Sequence, residues 1–221
     1  MDLTEFLSKI SIWAIPVLFA ITLHEVAHGW AARYFGDRTA ELLGRLSLNP
    51  LRHLDPVGTV LLPGLLLAFG GPLIGWAKPV PVAIRALRNP RRSMIFVALA
   101  GPAANVAMAA FWCAVLAAVV RLNGNATIMG WIALMARAGI IVNVVLALFN
   151  LLPIPPLDGG RVLTGILPPK LGARIERWEP AGIYIVMGLM VLVAYGPLGG
   201  LFDPAYRLVG HLIGALLRTS V

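Results

Sequence analysis

The chain alternates long apolar stretches with short polar ones. The apolar stretches occupy residues 10–35, 93–120, 129–150, 181–195 and 201–218. About 20 apolar residues suffice for a helix to cross the hydrocarbon core of a bilayer, and only helices or closed barrels satisfy their backbone there. The pattern therefore predicts an all-α, polytopic helical membrane protein with about five to six membrane segments.

The stretch between the first span and the span at 93–120 does not fit a simple crossing. Residues 57–70 are apolar, but they are too few for a full span, and Pro63 and Gly64 interrupt them. Residues 72–82 carry several prolines, which suit an exposed edge better than a central strand. We expect a re-entrant segment at 57–70, followed by an extended element.

Composition supports a membrane protein. Of the 221 residues, 59% are hydrophobic and 13% are charged, whereas a soluble domain carries about 25% charged residues. We expect one integral membrane domain over residues 1–221. The net charge of +8 comes from basic residues that cluster between the apolar stretches, which is typical of cytoplasmic membrane loops and not of a nucleic-acid surface. Cys113 is the only cysteine, so an intramolecular disulfide is excluded.

One motif in the first span carries potential chemistry. It reads Leu23-His24-Glu25-Val26-Ala27-His28-Gly29. On a helix, the two histidines lie on one face, one turn apart, which suits two nitrogen ligands of one Zn²⁺. Glu25 lies beside them and could act as the general base. Ionisable side chains inside a membrane span are costly, and this favours a functional role for them.

A catalytic zinc usually has three protein ligands, and the residues leave the third open. Asp158 follows a proline-rich turn and offers a carboxylate oxygen, although an aspartate there could equally cap a helix. His53 could be a ligand or a gate over the site, or a loop residue bonded to the backbone. Asn105 could bond a neighbouring helix or face the site. Arg161 could hold Asp158 or mark the cytoplasmic side.

Three motifs together resemble those of the site-2 protease family of intramembrane zinc metalloproteases. The likeness is greatest to the compact prokaryotic type without a PDZ domain, and it covers residues from about 20 to 165. The motifs are His24-Glu25-Val26-Ala27-His28-Gly29, then Gly101-Pro102 with Asn105, then Asn150 through Leu157-Asp158-Gly159-Gly160.

The resemblance implies a ligand set and a substrate site. His24, His28 and Asp158 would bind one Zn²⁺ per chain, and Glu25 would be the catalytic base. Asn150 and Pro156 would contact substrate, and we count Asn105 with them as a candidate substrate contact. Extended elements like residues 72–82 are thought to hold the substrate as an added strand in this family.

The function so implied is zinc-dependent hydrolysis of peptide bonds in or near transmembrane segments of membrane proteins. The catalytic core would cover about 10–165, with C-terminal helices at about 170–218. The alternatives are an inactive homologue that binds membrane proteins and, less favoured, a metal transporter. Basic loops place the N-terminus outside and the active site nearer the cytoplasmic side of a multi-pass cell-membrane protein.

Overall fold

The computed structural model describes residues 3–61, 64–65, 75–76, 78–122, 126–196, 200 and 203–218. Regular structure within these residues is helical. The α-helices are α1 (Leu3–Tyr34), α2 (Thr39–Leu42), α3 (Pro90–Leu122), α4 (Ala126–Asn150), α5 (Asp158–Ile166), α6 (Pro169–Glu176), α7 (Glu179–Tyr195) and α8 (Asp203–Arg218). Shorter helical turns occur at Pro50–Arg52, Pro56–Leu61 and Ile84–Ala86.

Within the described residues, three helices are long and apolar enough to cross a membrane. Their apolar parts are Leu7–Tyr34, Pro90–Leu122 and Thr127–Asn150. The predicted all-α class is confirmed, and these helices match the predicted spans at 10–35, 93–120 and 129–150. The count of about five to six membrane segments stays a prediction. So does the re-entrant segment at 57–70, half of which lies outside the described residues.

The three long helices pack against one another, and α5 packs across α3. The largest buried cluster joins Trp112 and Leu116 of α3 to Ala136 and Ile140 of α4, with Val209 of α8 at its edge. Side chains that point away from these contacts are often large and apolar yet exposed, as expected for surfaces that face lipid.

Close approach of α3 and α4 depends on a glycine. A Cβ built on Gly139 of α4 would lie 2.5 Å from Cδ1 of Trp112, whose ring is buried between the helices. Small residues allow this kind of contact in membrane proteins, where packing and not water exclusion holds helices together.

We therefore expect Gly139→Ala to destabilise the protein by about 1–3 kcal/mol, because the added methyl group overlaps Trp112. Gly130→Ala is the matched control on the same helix, since no atom lies within 4 Å of its Cβ position. That change should be neutral or stabilise by up to about 1 kcal/mol through helix propensity. Thermal unfolding in detergent micelles measures both, and equal melting temperatures for the two variants would contradict this packing.

Candidate metal centre

Three electron-pair donors meet in the interior of the bundle. His24 and His28 project from one face of α1, both buried, and their Nε2 atoms lie 3.1 Å apart. Asp158 is the first residue of α5, and its Oδ2 lies 3.3 Å from each Nε2 atom. The helix spacing of i and i+4 brings the imidazoles together, and the packing of α5 on α3 adds the carboxylate.

The hydrogen bond of His28 fixes which of its nitrogens carries the proton. Nδ1 lies 2.7 Å from the backbone carbonyl oxygen of Val97 in α3. A carbonyl only accepts, so Nδ1 must donate, and neutral Nε2 keeps its lone pair. That lone pair faces His24 and Asp158.

The same holds for His24, through a longer chain of hydrogen bonds. Its Nδ1 lies 2.6 Å from Oδ1 of Asn105, whose Nδ2 donates to the Ala20 carbonyl and to Oδ1 of Asn143. Asn143 Nδ2 in turn donates to the Gly139 carbonyl. Both backbone carbonyls can only accept, so the orientation of the two amides is fixed and His24 Nδ1 is the donor.

Three lone pairs therefore converge on one another, and a cation would relieve their repulsion. Asp158 Oδ2 is buried and has no hydrogen-bond partner among the described residues, despite its closeness to both imidazoles. Tetrahedral zinc with ligands at about 2.0–2.1 Å would separate its ligand atoms by about 3.3 Å. The separations of 3.1, 3.3 and 3.3 Å fit that requirement.

The carboxyl group of Asp158 is ionised at neutral pH, as a metal ligand must be. Burial alone would raise the pKa of Asp158. When the imidazoles are protonated instead of metal-bound, hydrogen bonding and charge from His24 and His28 outweigh burial and lower this pKa to about 2. The prediction that Asp158 could be a helix cap does not match the geometry. Asp158 lies inside α5, the residue before it is Leu157, and no side-chain capping bond forms there.

Gly101 of α3 leaves the space that the imidazoles occupy. A Cβ at this position would lie 2.6 Å from Cε1 of His24 and 2.5 Å from Cε1 of His28. Any side chain there would displace both rings. The small residues of the Gly101-Pro102 motif thus serve the candidate metal centre as well as helix packing.

Glu25 points to a different partner. It is half-buried, and its Oε2 accepts a hydrogen bond of 2.7 Å from the backbone N–H of Val80. Val80 belongs to a non-helical segment that a second carboxylate also holds, since Asp37 at the end of α1 accepts from the Ala83 N–H at 2.6 Å. Arg45 donates to the carbonyl of Lys78 in the same segment.

A cavity of about 450 Å³ opens onto these groups. One wall is the segment from Pro79 to Val82. Asn150 and Pro156 also line the cavity, and Asn150 donates through Nδ2 to the Leu146 carbonyl of its own helix. The cavity thus collects the candidate ligands, the candidate base and two of the three predicted substrate contacts.

Other sequence-predicted residues lie outside the cavity or, like Arg161, line it but bond to a group other than the candidate ligands. Asn105 is fully buried and does not line the cavity, so its position suits a support for His24 better than a substrate contact. His53 lies outside the cluster, and its Nε2 bonds to the backbone carbonyl of Ser47. The guanidinium of Arg161 lies 3.6 Å from Glu179.

Sequence reasoning missed Asn143 and the Val97 carbonyl. Asn143 is a fully buried polar residue in an apolar helix, and its position at membrane depth was a usable signal. The Val97 carbonyl left no signal, because every residue carries such a group and only the packing of α1 on α3 selects this one.

Comparison with known proteins indicates the chemistry. The family model described as peptidase family M50 matches residues 116–194. The "Putative zinc metalloprotease YwhC" of Bacillus subtilis is 38% identical over 187 residues, which is 84% of this chain and 82% of that protein. The "Putative zinc metalloprotease Rip2" of Mycolicibacterium smegmatis is 32% identical over 204 residues, 87% of this chain and 73% of that protein. No solved structure matches the chain.

Because Asn105 orients His24, we expect Asn105→Ala to weaken zinc binding by about 10–100-fold, the usual effect of losing the group that holds a ligating histidine. Competition of detergent-solubilised apoprotein with a fluorescent zinc chelator measures the affinity. Asn150→Ala is the matched control, because its side chain lines the same cavity but bonds only within its own helix. Wild-type affinity in Asn105→Ala, or an equal loss in both variants, would contradict the assigned role.

Proposed function

Because this chain is a membrane metalloendopeptidase of the site-2 protease family, peptidase family M50, we propose that it hydrolyses peptide bonds in or beside the membrane-spanning segments of other proteins. The observation that carries the proposal is the convergence of His24, His28 and Asp158 within the bundle of long apolar helices. Glu25 lines the same cavity, so a candidate base stands beside the candidate ligands.

The three converging residues would hold one Zn²⁺ per chain. When bound, zinc supplies a Lewis acid that polarises the scissile carbonyl and makes a water molecule a better nucleophile. Three protein ligands leave one position for water or substrate. Gly101 and the helix α3 lie against the imidazoles on one side, so substrate would reach them from the cavity.

Glu25 is the group that moves the proton. It takes a proton from the attacking water as the new C–O bond forms, and it returns that proton to the amide nitrogen as the C–N bond breaks. The Val80 N–H holds one carboxylate oxygen, Oε2, which fixes the side chain against the cavity wall. Because no other residue in the described structure donates a hydrogen bond to Glu25, its second oxygen is available for the proton.

The segment from Pro79 to Val82 would hold the substrate as an added strand. A transmembrane helix satisfies its own backbone, so it must unwind locally before its carbonyls can be attacked. The N–H groups of Val80 and Ala83 are occupied by carboxylates, whereas that of Val82 has no partner within the described ranges. An extended peptide could pair along this edge, inside the cavity that Asn150 and Pro156 also line.

We place the site nearer the cytoplasmic face of a multi-pass cell-membrane protein. His24 and His28 lie in the second half of α1, whose end at Tyr34 is close in sequence to Arg33 and Arg38. The adjoining start of α3 also carries basic residues. An excess of basic residues at one end of membrane spans marks the cytoplasmic side.

The proposal is tested by two substitutions that should separate chemistry from metal binding. Glu25→Gln should abolish proteolysis while zinc stays bound, since Gln can still accept from Val80 but cannot take up the proton. Asp158→Ala should remove both zinc and activity, because one of three ligands is lost. Zinc analysis of the purified variants and cleavage of a model transmembrane substrate provide the two measurements.

His53→Ala is the control for the ligand assignment, because His53 lies outside the cluster and should leave zinc content unchanged. Full zinc occupancy in Asp158→Ala, or an active Glu25→Gln enzyme, would overturn the assigned roles. A zinc-loaded wild-type protein that cleaves no membrane substrate would instead favour a binding homologue without activity.

Topology is tested with single cysteines at positions 85 and 125 in a Cys113→Ala background. An impermeant thiol reagent applied to intact cells should label position 125 and spare position 85, because the basic stretch before α3 is expected inside. Labelling at 85 with protection at 125 would place the metal centre near the outer face instead.

A further inference from the structure

A second cavity, which shares no lining residue with the first, lies between the end of α1 and the start of α3. Its volume is about 450 Å³, within the usual range of about 300–1,000 Å³ for small-molecule sites. We call it the α1–α3 end cavity. Its walls combine the aromatic residues Tyr34, Phe35 and Phe96 with the polar residues Arg88, Asn89 and Arg92. The C-terminal end of α1 and the N-terminal end of α3 meet here, and both helices are long enough to span a membrane.

The aromatic wall is apolar and open. The rings of Phe35 and Phe96 stack with centroids 5.6 Å apart. Phe96 is 58% exposed and Tyr34 is 75% exposed. Exposed aromatic side chains at the ends of membrane helices occupy the boundary between lipid tails and head groups. This wall therefore suits the glycerol and acyl portions of a lipid.

The polar wall carries positive charge that the protein does not neutralise. Arg88 donates to the Tyr34 carbonyl and keeps its charge, and Arg92 makes no ion pair with any described residue. The two carboxylates that follow α1 in the chain, Asp37 and Glu41, already have other partners. Glu41 pairs with two other arginines, and buried Asp37 accepts from Thr39 and Ala83.

The first turn of α3 adds to the positive electrostatic potential of this wall. It begins at Pro90 and contains no acidic residue, so the positive end of the helix dipole is not offset within its own first turn. Arginine side chains and helix N-termini both favour phosphate, the former through charge-assisted hydrogen bonds.

We propose that the α1–α3 end cavity binds the head group of an anionic phospholipid. The phosphate would lie between Arg88 and Arg92, and the acyl chains would leave along Phe35 and Phe96 into the bilayer. Basic pockets between membrane helices on the cytoplasmic side bind such head groups. The aromatic wall favours a lipid over a free anion, which has no apolar part to place there. This inference uses none of the candidate metal or substrate residues.

The test is native mass spectrometry of the full-length chain in detergent, titrated separately with phosphatidylglycerol and phosphatidylcholine. Wild type should retain phosphatidylglycerol in preference to phosphatidylcholine. Arg92→Gln should weaken phosphatidylglycerol binding about fivefold, the usual effect of one basic residue near a lipid surface. Arg92→Lys, which keeps the charge, should bind close to wild type.

Arg121→Gln is the matched control, because it removes the same charge from the opposite end of the same helix and should leave binding unchanged. Phe96→Ala should weaken the lipid without affecting inorganic phosphate, which is titrated as a competitor. No preference for phosphatidylglycerol, equal losses in the Arg92 and Arg121 variants, or displacement of the lipid by millimolar phosphate would overturn the proposal. The test measures lipid binding alone, at residues that do not line the candidate metal centre. Its outcome is therefore independent of whether the proposed proteolysis occurs.

Discussion

The direction of two hydrogen bonds governs the interior of this protein. His24 and His28 each donate through Nδ1, one to the Asn105 amide and the other to the Val97 carbonyl. Each ring therefore turns an unprotonated nitrogen toward the other and toward Asp158. Three lone pairs at 3.1–3.3 Å repel one another, so this arrangement favours the binding of a positive ion between them.

Helix α3 supplies both acceptors, Asn105 for His24 and the Val97 carbonyl for His28. It therefore orients the two rings as well as packing against them. Gly101 lets α3 approach the rings, Val97 lies about one turn before it and Asn105 about one turn after it. Spacing of three to four residues places all three on one face of α3. The link from Asn105 to Asn143 then ties this face to α4. In a membrane, such buried polar contacts contribute modestly to stability, and here they also determine orientation.

The sequence was enough for features that depend on local pattern. Long apolar runs predicted α1, α3 and α4, because crossing a bilayer demands length and hydropathy that are written in consecutive residues. The spacing of His24 and His28 required only helix geometry. Pairing these histidines with Asp158 rested on metal chemistry and on a family resemblance, since the third donor lies on another helix.

Contacts that depend on which backbone groups come together in the fold could not be predicted from the sequence. The Val80 N–H that holds Glu25 and the Val97 carbonyl that holds His28 are main-chain groups that any sequence provides. Asn105 was counted with the substrate contacts because its residue type fits either role, and only the packing of α1 against α3 places it behind His24. For the same reason, His53 could not be separated from a ligand until its bond to Ser47 was visible.

The distance along the chain between the donors has a consequence for biosynthesis. Asp158 follows His28 by about 130 residues, so at about 5–20 residues per second the two imidazoles are made roughly 6–26 s before the carboxylate. The partners in α3 that orient the rings appear between these times. During that interval α1 can present only two of the three candidate ligands, and a two-ligand site would hold zinc weakly. Under the proposed function, metal acquisition would be a late step in the life of the nascent chain, and a truncated product that ends before α5 would carry the histidine motif without the completed centre.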